Sequence, residues 1–189
     1  FSIYDQGDAV RLTGHVVRDL NLDAKRFPSR AIHAAISTAK NEGRSAATYA
    51  EQAVGPYERH LGEVFAEYQT RLRKAGAMDF DDLLDNAVRL LREHPDVLEH
   101  YRQRFEHVLV DEYQDTNRVQ NDLVMLLGAG HRNVCAVGDS DQSIYRFRGA
   151  DIRNILEFER TFPDATVVVL DQNYRSSQTI LDAANAVIT

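Results

Sequence analysis

Three polar clusters in this 189-residue sequence could do chemistry, because each directly follows a short apolar run. The clusters are residues 111–115, 138–142 and 171–175, and the runs that precede them are residues 108–110, 134–137 and 166–170. In open parallel sheets, ligands bind at the carboxyl ends of the strands. If the three runs are strands of one such sheet, the clusters share an edge, and we expect a ligand site there.

The first cluster begins with two adjacent carboxylates, Asp111 and Glu112. One carboxylate can hold Mg²⁺, directly or through water, while the other orients or deprotonates an attacking water. The alternative is a helix N-terminus at which acidic residues interact favourably with the helix dipole. An Asp-Glu pair after a strand does not by itself decide between the two.

A second feature is the alternation of aromatic and cationic side chains from Tyr145 through Arg146 and Phe147 to Arg148. Base stacking is worth ~1–3 kcal/mol per base and tolerates any sequence, so this loop suits single-stranded nucleic acid. Core aromatics spaced as in a strand are the alternative. In the third cluster, Arg175 can contact a phosphate in bidentate fashion or form a structural ion pair with an aspartate.

The elements that must position these residues are predicted by hydrophobic periodicity. The three apolar runs are β-branched and lack polar alternation, which predicts strands buried on both faces, with Cys135 as an inert apolar residue. Helical patterns separate the runs and follow the last one, so we expect a parallel sheet with crossover helices. These patterns cover residues 119–127, 152–158 and 177–188.

Before residue 106, apolar residues recur at steps of three and four and predict helices. These stretches cover residues 31–39, 57–74, 83–91 and 97–105. The predicted fold class is α/β, with a helical block followed by part of a parallel sheet.

Composition narrows the class of protein. The sequence holds 22 Lys and Arg against 29 Asp and Glu, a net charge of −7, so any nucleic-acid site must be local. No apolar run approaches the ~20 residues of a membrane span. A single cysteine excludes an internal disulfide framework and predicts a reducing, cytoplasmic setting.

Four segments together resemble motifs of the superfamily 1 DNA helicases of the UvrD/Rep/PcrA type. Residues 110–117 (VDEYQDTN) resemble the Walker B segment of that family, and residues 137–150 resemble its third motif. Residues 170–176 are similar to the fourth motif, and residues 79–83 match a segment that precedes Walker B. The resemblance implies a P-loop NTPase motor with a partial RecA-like parallel sheet.

The resemblance also implies a division of the chain. Residues 1–78 would be a helical insertion subdomain, and residues 79–170 the later part of the first RecA-like motor domain. Residues 171–189 would cross into the second motor domain.

The resemblance implies ATP and Mg²⁺ as cofactors, which four residues would bind beside a catalytic base. Asp111 would coordinate Mg²⁺, and Glu112 would be the catalytic base toward the attacking water. Gln142 would sense the γ-phosphate and Arg175 would reach it, while Tyr174 would stack on the adenine.

For DNA, the resemblance implies that Tyr145 and Phe147 form an aromatic platform for single-stranded bases, with Arg148 beside them. Many relatives carry Trp at position 147, and Phe keeps the stacking face with less area. The implied function is an ATP-dependent helicase or translocase that moves 3′ to 5′ on single-stranded DNA and unwinds duplex DNA in repair or replication. No membrane partner is expected.

The sequence has no G-x-x-x-x-G-K-[ST] phosphate-binding loop. In the resembling family this Walker A loop lies upstream and the second motor domain downstream, so we expect an internal piece of a longer protein. That piece alone is predicted not to hydrolyse ATP.

Three alternatives stay open at this point. A helicase–nuclease subunit resembling RecB or AddA would share these motifs, and a downstream nuclease domain would distinguish it. A metal-dependent hydrolase could instead use the acidic residues without any nucleotide; these are Asp111, Glu112, Asp115, Asp139 and Asp141. A non-catalytic DNA-binding piece is the third alternative.

Overall fold

A computed structural model describes residues 1–146 and 149–188 of the chain. Short strands and longer helices alternate along it, with 3-10 turns at Tyr113–Asp115 and Ser140–Gln142. The elements are β1 (Ser2–Tyr4), α1 (Gln6–Asp19), α2 (Ser29–Asn41), α3 (Ala46–Gln52), α4 (Pro56–Lys74), β2 (Ala77–Asp79), α5 (Phe80–Glu93), α6 (Pro95–Arg104), β3 (Val108–Val110), α7 (Arg118–Gly128), β4 (Val134–Ala136), α8 (Arg153–Leu156), α9 (Phe158–Thr161) and α10 (Gln178–Ile188).

The strands form two separate parallel pairs. β1 pairs with β2, with Ser2 opposite Ala77, and β3 pairs with β4, with Val108 opposite Val134. The parallel α/β class expected from the sequence is therefore confirmed at the level of short parallel pairs joined by helices. A larger RecA-like sheet stays a prediction.

The main hydrophobic core lies in the first 77 residues, where α1, α2 and α4 pack together. Each helix contributes one apolar stripe, which the steps of three and four in the sequence predict for α2 and α4, whereas α1 was not predicted. Val16, Ile32, Ile36 and Leu72 are all fully buried in this core. The packing of amphipathic faces, rather than the propensity of single helices, therefore stabilises this part of the chain.

A buried ionic cluster joins α2 and α4 to the start of α5. Lys40 Nζ lies 2.7 Å from a carboxylate oxygen of Asp79 and 2.8 Å from one of Asp82. The hydroxyl of Tyr68 also donates to Asp79, and the amide of Gln69 donates to Asp82. Burial by itself raises the pKa of Asp79. The charge and hydrogen bond of Lys40, together with hydrogen bonds from the Asp82 N–H and the Tyr68 hydroxyl, outweigh burial and hold that pKa below its usual value.

Capping boxes set where the helices begin. Asp79 accepts from the backbone N–H of Asp82, and the Asp82 side chain accepts in return from the N–H of Asp79. Asn117 and Gln120 form the same reciprocal pair at the start of α7. The Asp79 cap places Phe80 in the first turn of α5, and the Asn117 cap places α7 directly after the residues that follow β3.

Most helix predictions are confirmed. The stretches predicted at residues 31–39, 57–74, 83–91 and 97–105 lie in α2, α4, α5 and α6, and residues 119–127 lie in α7. The single helix predicted at 152–158 is instead two four-residue helices, α8 and α9. Among the residues that the structure describes, no helix is both long and apolar enough to cross a membrane.

The prediction of a third strand is wrong. Residues 166–170 have no regular secondary structure, and the exposed fraction rises along them from 64% at Val167 to 83% at Leu170. A β-branched run becomes a strand only where a neighbouring strand takes its backbone hydrogen bonds and a packed layer covers its side chains. In the described part of the chain, residues 166–170 pair with no strand.

The expectation of strands buried on both faces is also wrong. Leu109, at the centre of β3, is 77% exposed, and Cys135, at the centre of β4, is exposed as well. Their neighbours on each strand are half-buried, so the pair is covered on one face only. The sulfur of Cys135 is therefore accessible and not sealed in a core.

Candidate functional site

The carboxyl end of β3 presents two exposed carboxylates, those of Asp111 and Glu112. Glu112 has a left-handed backbone conformation, with φ of 51°, which is uncommon for a residue other than glycine. Its backbone N–H donates to the Asp111 carboxylate over 2.9 Å, and its own carboxylate accepts from the side-chain amide of Gln114 over 2.7 Å. The turn therefore holds Glu112 in one defined orientation.

Gln114 is fully buried and connects the ends of the two strands. Its amide nitrogen donates to Glu112, and its amide oxygen accepts from the backbone N–H of Asp139 over 3.0 Å. Gly138 makes this approach possible, because a Cβ at that position would overlap the amide oxygen of Gln114 and the Cδ1 atom of Ile155. The first two polar clusters therefore meet through Gln114, to which the sequence analysis assigned no role.

Gln142 is held within the second cluster. Asp139 caps the 3-10 turn by accepting from the N–H of Asp141 over 2.9 Å. The other carboxylate oxygen of Asp139 accepts from the side-chain amide of Gln142 over 2.7 Å. Gln142 is exposed, so its amide is accessible beside the end of β4.

The third cluster is not brought to the same edge. Tyr174 is 93% exposed, and the Asn173 side chain accepts from the N–H groups of Arg175 and Ser176 in a local turn. Within residues 1–146 and 149–188, no hydrogen bond joins this turn to the other two clusters. The expectation that all three clusters share one edge is correct for two of them and wrong for residues 171–175.

A groove of about 1300 Å³ lies between the helical part and the turn after β3. One wall belongs to α1, α2 and the start of α5, and the other carries Glu112 and Tyr145. Side chains able to contact a ligand along it include Arg11, Arg30, His33, Phe80, Glu112 and Tyr145. Cationic, acidic and aromatic groups from segments far apart in sequence therefore face one open space.

Two aromatic side chains line this groove. The ring of Phe80 is 60% exposed and that of Tyr145 is 38% exposed, so both rings are accessible to a ligand. Tyr145 is accessible at this position, while Phe147 and Arg148 lie outside the described residues. The sequence analysis assigns no role to Phe80. An aromatic residue between Asp79 and Asp81, at the polar start of a helix, is the signal that could have indicated one.

The helical wall of the groove is partly desolvated. Burial lowers the pKa of His33 below its usual value, and burial raises the pKa of Asp81. For both groups the loss of hydration outweighs the nearby charges, so burial disfavours their charged forms.

The carboxylates at the end of β3 fit a divalent cation of the Mg²⁺ type. Mg²⁺ prefers oxygen ligands and is usually held by one or two carboxylates together with substrate phosphates and water. Asp111 and Glu112 supply such oxygens at an exposed position next to the groove. In the described part of the chain, no group of three or more His, Cys, Asp or Glu residues forms a complete metal cage.

Comparison with known proteins matches this chain to helicases. The family described as "UvrD/REP helicase N-terminal domain" matches residues 1–163. The chain is 48% identical over 188 residues to the ATP-dependent DNA helicase PcrA of Bacillus subtilis (strain 168). It is 49% identical over 201 residues to the ATP-dependent DNA helicase UvrD1 of Mycobacterium leprae (strain TN).

Both alignments cover 100% of this chain but only 25% and 26% of the relatives. The chain therefore spans about a quarter of the length of the curated relatives it matches. Because the family match extends over residues 1–163, this chain belongs to the UvrD/REP helicase family and corresponds to sequence from its N-terminal domain.

Proposed function

We propose that this chain is the part of an ATP-dependent DNA helicase that carries the catalytic base for ATP hydrolysis and one side of the single-stranded DNA site. The observation that carries the proposal is the buried Gln114, which binds Glu112 and the backbone of Asp139 at once. A change at either strand end therefore reaches the other. The names of the relatives, ATP-dependent DNA helicases, supply the reaction.

With a nucleotide bound, Asp111 would hold Mg²⁺, which would neutralise charge on the phosphates. Glu112 would accept the proton of the attacking water, and Gln114 keeps the Glu112 carboxylate in place for that role. Gln142 would contact the γ-phosphate through its side-chain amide, which donates to Asp139 in the structure.

Tyr174 and Arg175 are proposed to contact the adenine and the γ-phosphate. Both side chains are exposed in their own turn, which leaves them accessible to a nucleotide. Arg175 has the planar shape that contacts phosphate oxygens in pairs.

Single-stranded DNA is proposed to lie in the groove. Tyr145 and Phe80 offer ring faces for stacking, and Arg11 and Arg30 offer charge for phosphates. Phe147 and Arg148 remain proposed contacts next to Tyr145. This arrangement fits a local DNA site on a chain whose net charge is −7.

The wider assignment rests on the family resemblance. It comprises 3′-to-5′ movement, duplex unwinding, a role in repair or replication and a cytoplasmic location. It also comprises the division into a helical insertion at residues 1–78, a motor segment at 79–170 and a crossover at 171–189. The sequence lacks the Walker A loop, so the 189-residue chain alone is proposed to be inactive and to need phosphate-binding residues from elsewhere.

The test is ATP hydrolysis by the full-length protein that contains this chain, with and without single-stranded DNA. Glu112→Gln should lower the DNA-stimulated kcat by about 10²–10⁴-fold, the usual contribution of a general base. Glu159→Gln, an exposed site on α9, is the matched control and should leave kcat unchanged.

Other results would point to the alternatives. DNA cleavage with Mg²⁺ but without ATP would favour the metal-dependent hydrolase, and ATP-dependent cleavage would favour the helicase–nuclease. ATP hydrolysis that ignores both DNA and Glu112→Gln would overturn the proposal.

A further inference from the structure

The two walls of the groove are joined by a pair of asparagine side chains. The side-chain nitrogen of Asn117, at the N-terminus of α7, donates to the side-chain oxygen of Asn41, at the end of α2, over 2.6 Å. These residues are 76 positions apart in sequence. The contact links the helical part of the chain to the segment that follows Glu112.

Every polar atom of the Asn117 side chain is used. Its oxygen accepts from the N–H of Gln120 over 2.8 Å and caps α7, while its nitrogen donates to Asn41. An aspartate at position 117 could cap the helix equally well but could not donate. The cap alone therefore does not explain asparagine at this position, whereas the contact with Asn41 does.

Asn41 is anchored on the helical side. Its side-chain nitrogen donates to the backbone oxygen of Ser37 over 2.9 Å and reaches the carboxylate of Asp81 at 3.4 Å. The preceding residue, Lys40, is held in the buried cluster with Asp79. Asp79 and Asp81 flank Phe80 in the sequence. Lys40 and Asn41, two adjacent residues of α2, therefore contact both sequence neighbours of the exposed ring.

The other side of the contact, in the segment that follows Glu112, is equally constrained. The side-chain nitrogen of Asn154 donates to the backbone oxygen of Thr116 over 2.9 Å, directly before Asn117. Gly149, with φ of 83°, packs so closely that a Cβ there would lie 3.3 Å from the Cβ of Asn41. Gly149 therefore lies against the asparagine pair.

We propose that Asn41 is a positioning residue that keeps the Phe80 wall in register with the wall that carries Glu112 and Tyr145. The proposal rests on the function proposed above, in which single-stranded DNA occupies this groove. When the walls can shift, only a fraction of the molecules is competent to bind, and apparent affinity falls by that fraction. The chemistry at Glu112 is unchanged once DNA is bound, because Gln114 and not Asn41 holds that carboxylate.

The test is the ATPase of the full-length protein, titrated with an oligothymidylate. Asn41→Ala should raise the half-saturating DNA concentration about three- to tenfold, the range expected for one hydrogen bond, and leave kcat at saturating DNA within about twofold. Asn117→Asp, which keeps the helix cap, should act in the same direction. The double variant should be no worse than the stronger single variant.

Asn86→Ala is the matched control, because Asn86 is also a half-buried helical asparagine. Among the residues that the structure describes, its side chain bonds to Met78 and Arg89 nearby and not across the groove. It should leave the half-saturating DNA concentration unchanged. The inference is overturned if Asn41→Ala behaves like Asn86→Ala, or if it lowers kcat and Tm without moving the half-saturating concentration. A wild-type protein whose ATPase ignores DNA would instead overturn the proposed function itself.

Discussion

The buried cluster around Lys40 should dominate the stability of the helical part, and Lys40→Met tests this directly. The Lys40 side chain is 4% exposed, and its partners Asp79 and Asp82 are 5% and 4% exposed. Methionine keeps most of the apolar stem but removes the cation. Two carboxylates are then left buried without a counter-charge. They keep the side-chain hydrogen bonds from Tyr68 and Gln69 and the reciprocal backbone N–H bonds of the capping box.

Removal of one partner from a buried ion pair typically lowers the free energy of unfolding by about 3–5 kcal/mol. The four hydrogen bonds that the carboxylates keep place this case near the lower end, at about 3 kcal/mol. For a chain of this size, that loss lowers Tm by about 6–12 °C. Urea unfolding and a thermal scan of the 189-residue chain would measure both. Lys25→Met, at an exposed lysine, should change the free energy of unfolding by less than about 0.5 kcal/mol.

The pH dependence gives a second check on the same cluster. In the wild type, the pKa of Asp79 lies below its usual 3.8 because Lys40 and the neighbouring hydrogen bonds outweigh burial. The ionised Asp79 carboxylate therefore stabilises the folded state above pH 3.8, and this stabilisation is lost as pH falls through the lowered pKa. Without Lys40, burial raises the pKa of Asp79, and protonation on acidification relieves the buried charge. The difference between wild type and Lys40→Met should therefore shrink as pH falls from neutrality toward 3.8. A loss below about 1 kcal/mol, or a difference independent of pH, would refute the reasoning and mean that water screens the cluster.

Two further predictions concern single sites. Gly138→Ala should lower the free energy of unfolding by about 1–3 kcal/mol in urea, because a Cβ would overlap Gln114 and Ile155. The control is Gly14→Ala inside α1, where a Cβ would lie at an ordinary 3.6 Å from the Cβ of Ser29. This variant should be neutral or more stable by up to about 1 kcal/mol. Equal effects at both sites would contradict the steric argument. Burial lowers the pKa of His33 below 6.5, so the unfolded chain binds more protons there and stability should fall as pH drops below 6.5. His33→Gln should reduce that fall in urea titrations, and an unchanged slope would assign it to other groups.

The sequence by itself determined those elements whose pattern of residues is local, within one helix or one motif. Apolar steps of three and four at residues 57–74 predict α4, since one stripe of a helix must be buried wherever that helix packs. The motifs around Glu112 and Gln142 indicate the family from the sequence alone. Their residues are contiguous in the chain, so no tertiary contact is needed to recognise them. The strands β1 and β2 were missed, since three residues are too few to show a period.

The tertiary structure alone decided which residues meet. The run at 166–170 has the composition of a strand, but a strand needs a partner and a covering layer, and nothing local encodes whether these are present. The same holds for Cys135, whose strand is covered on one face only. Lys40 with Asp79, Gln114 with Asp139 and Asn41 with Asn117 are contacts between residues 25 to 76 positions apart. Periodicity and propensity act over a few residues, so such pairs, and the groove they shape, arise only when the packed helices bring distant segments together.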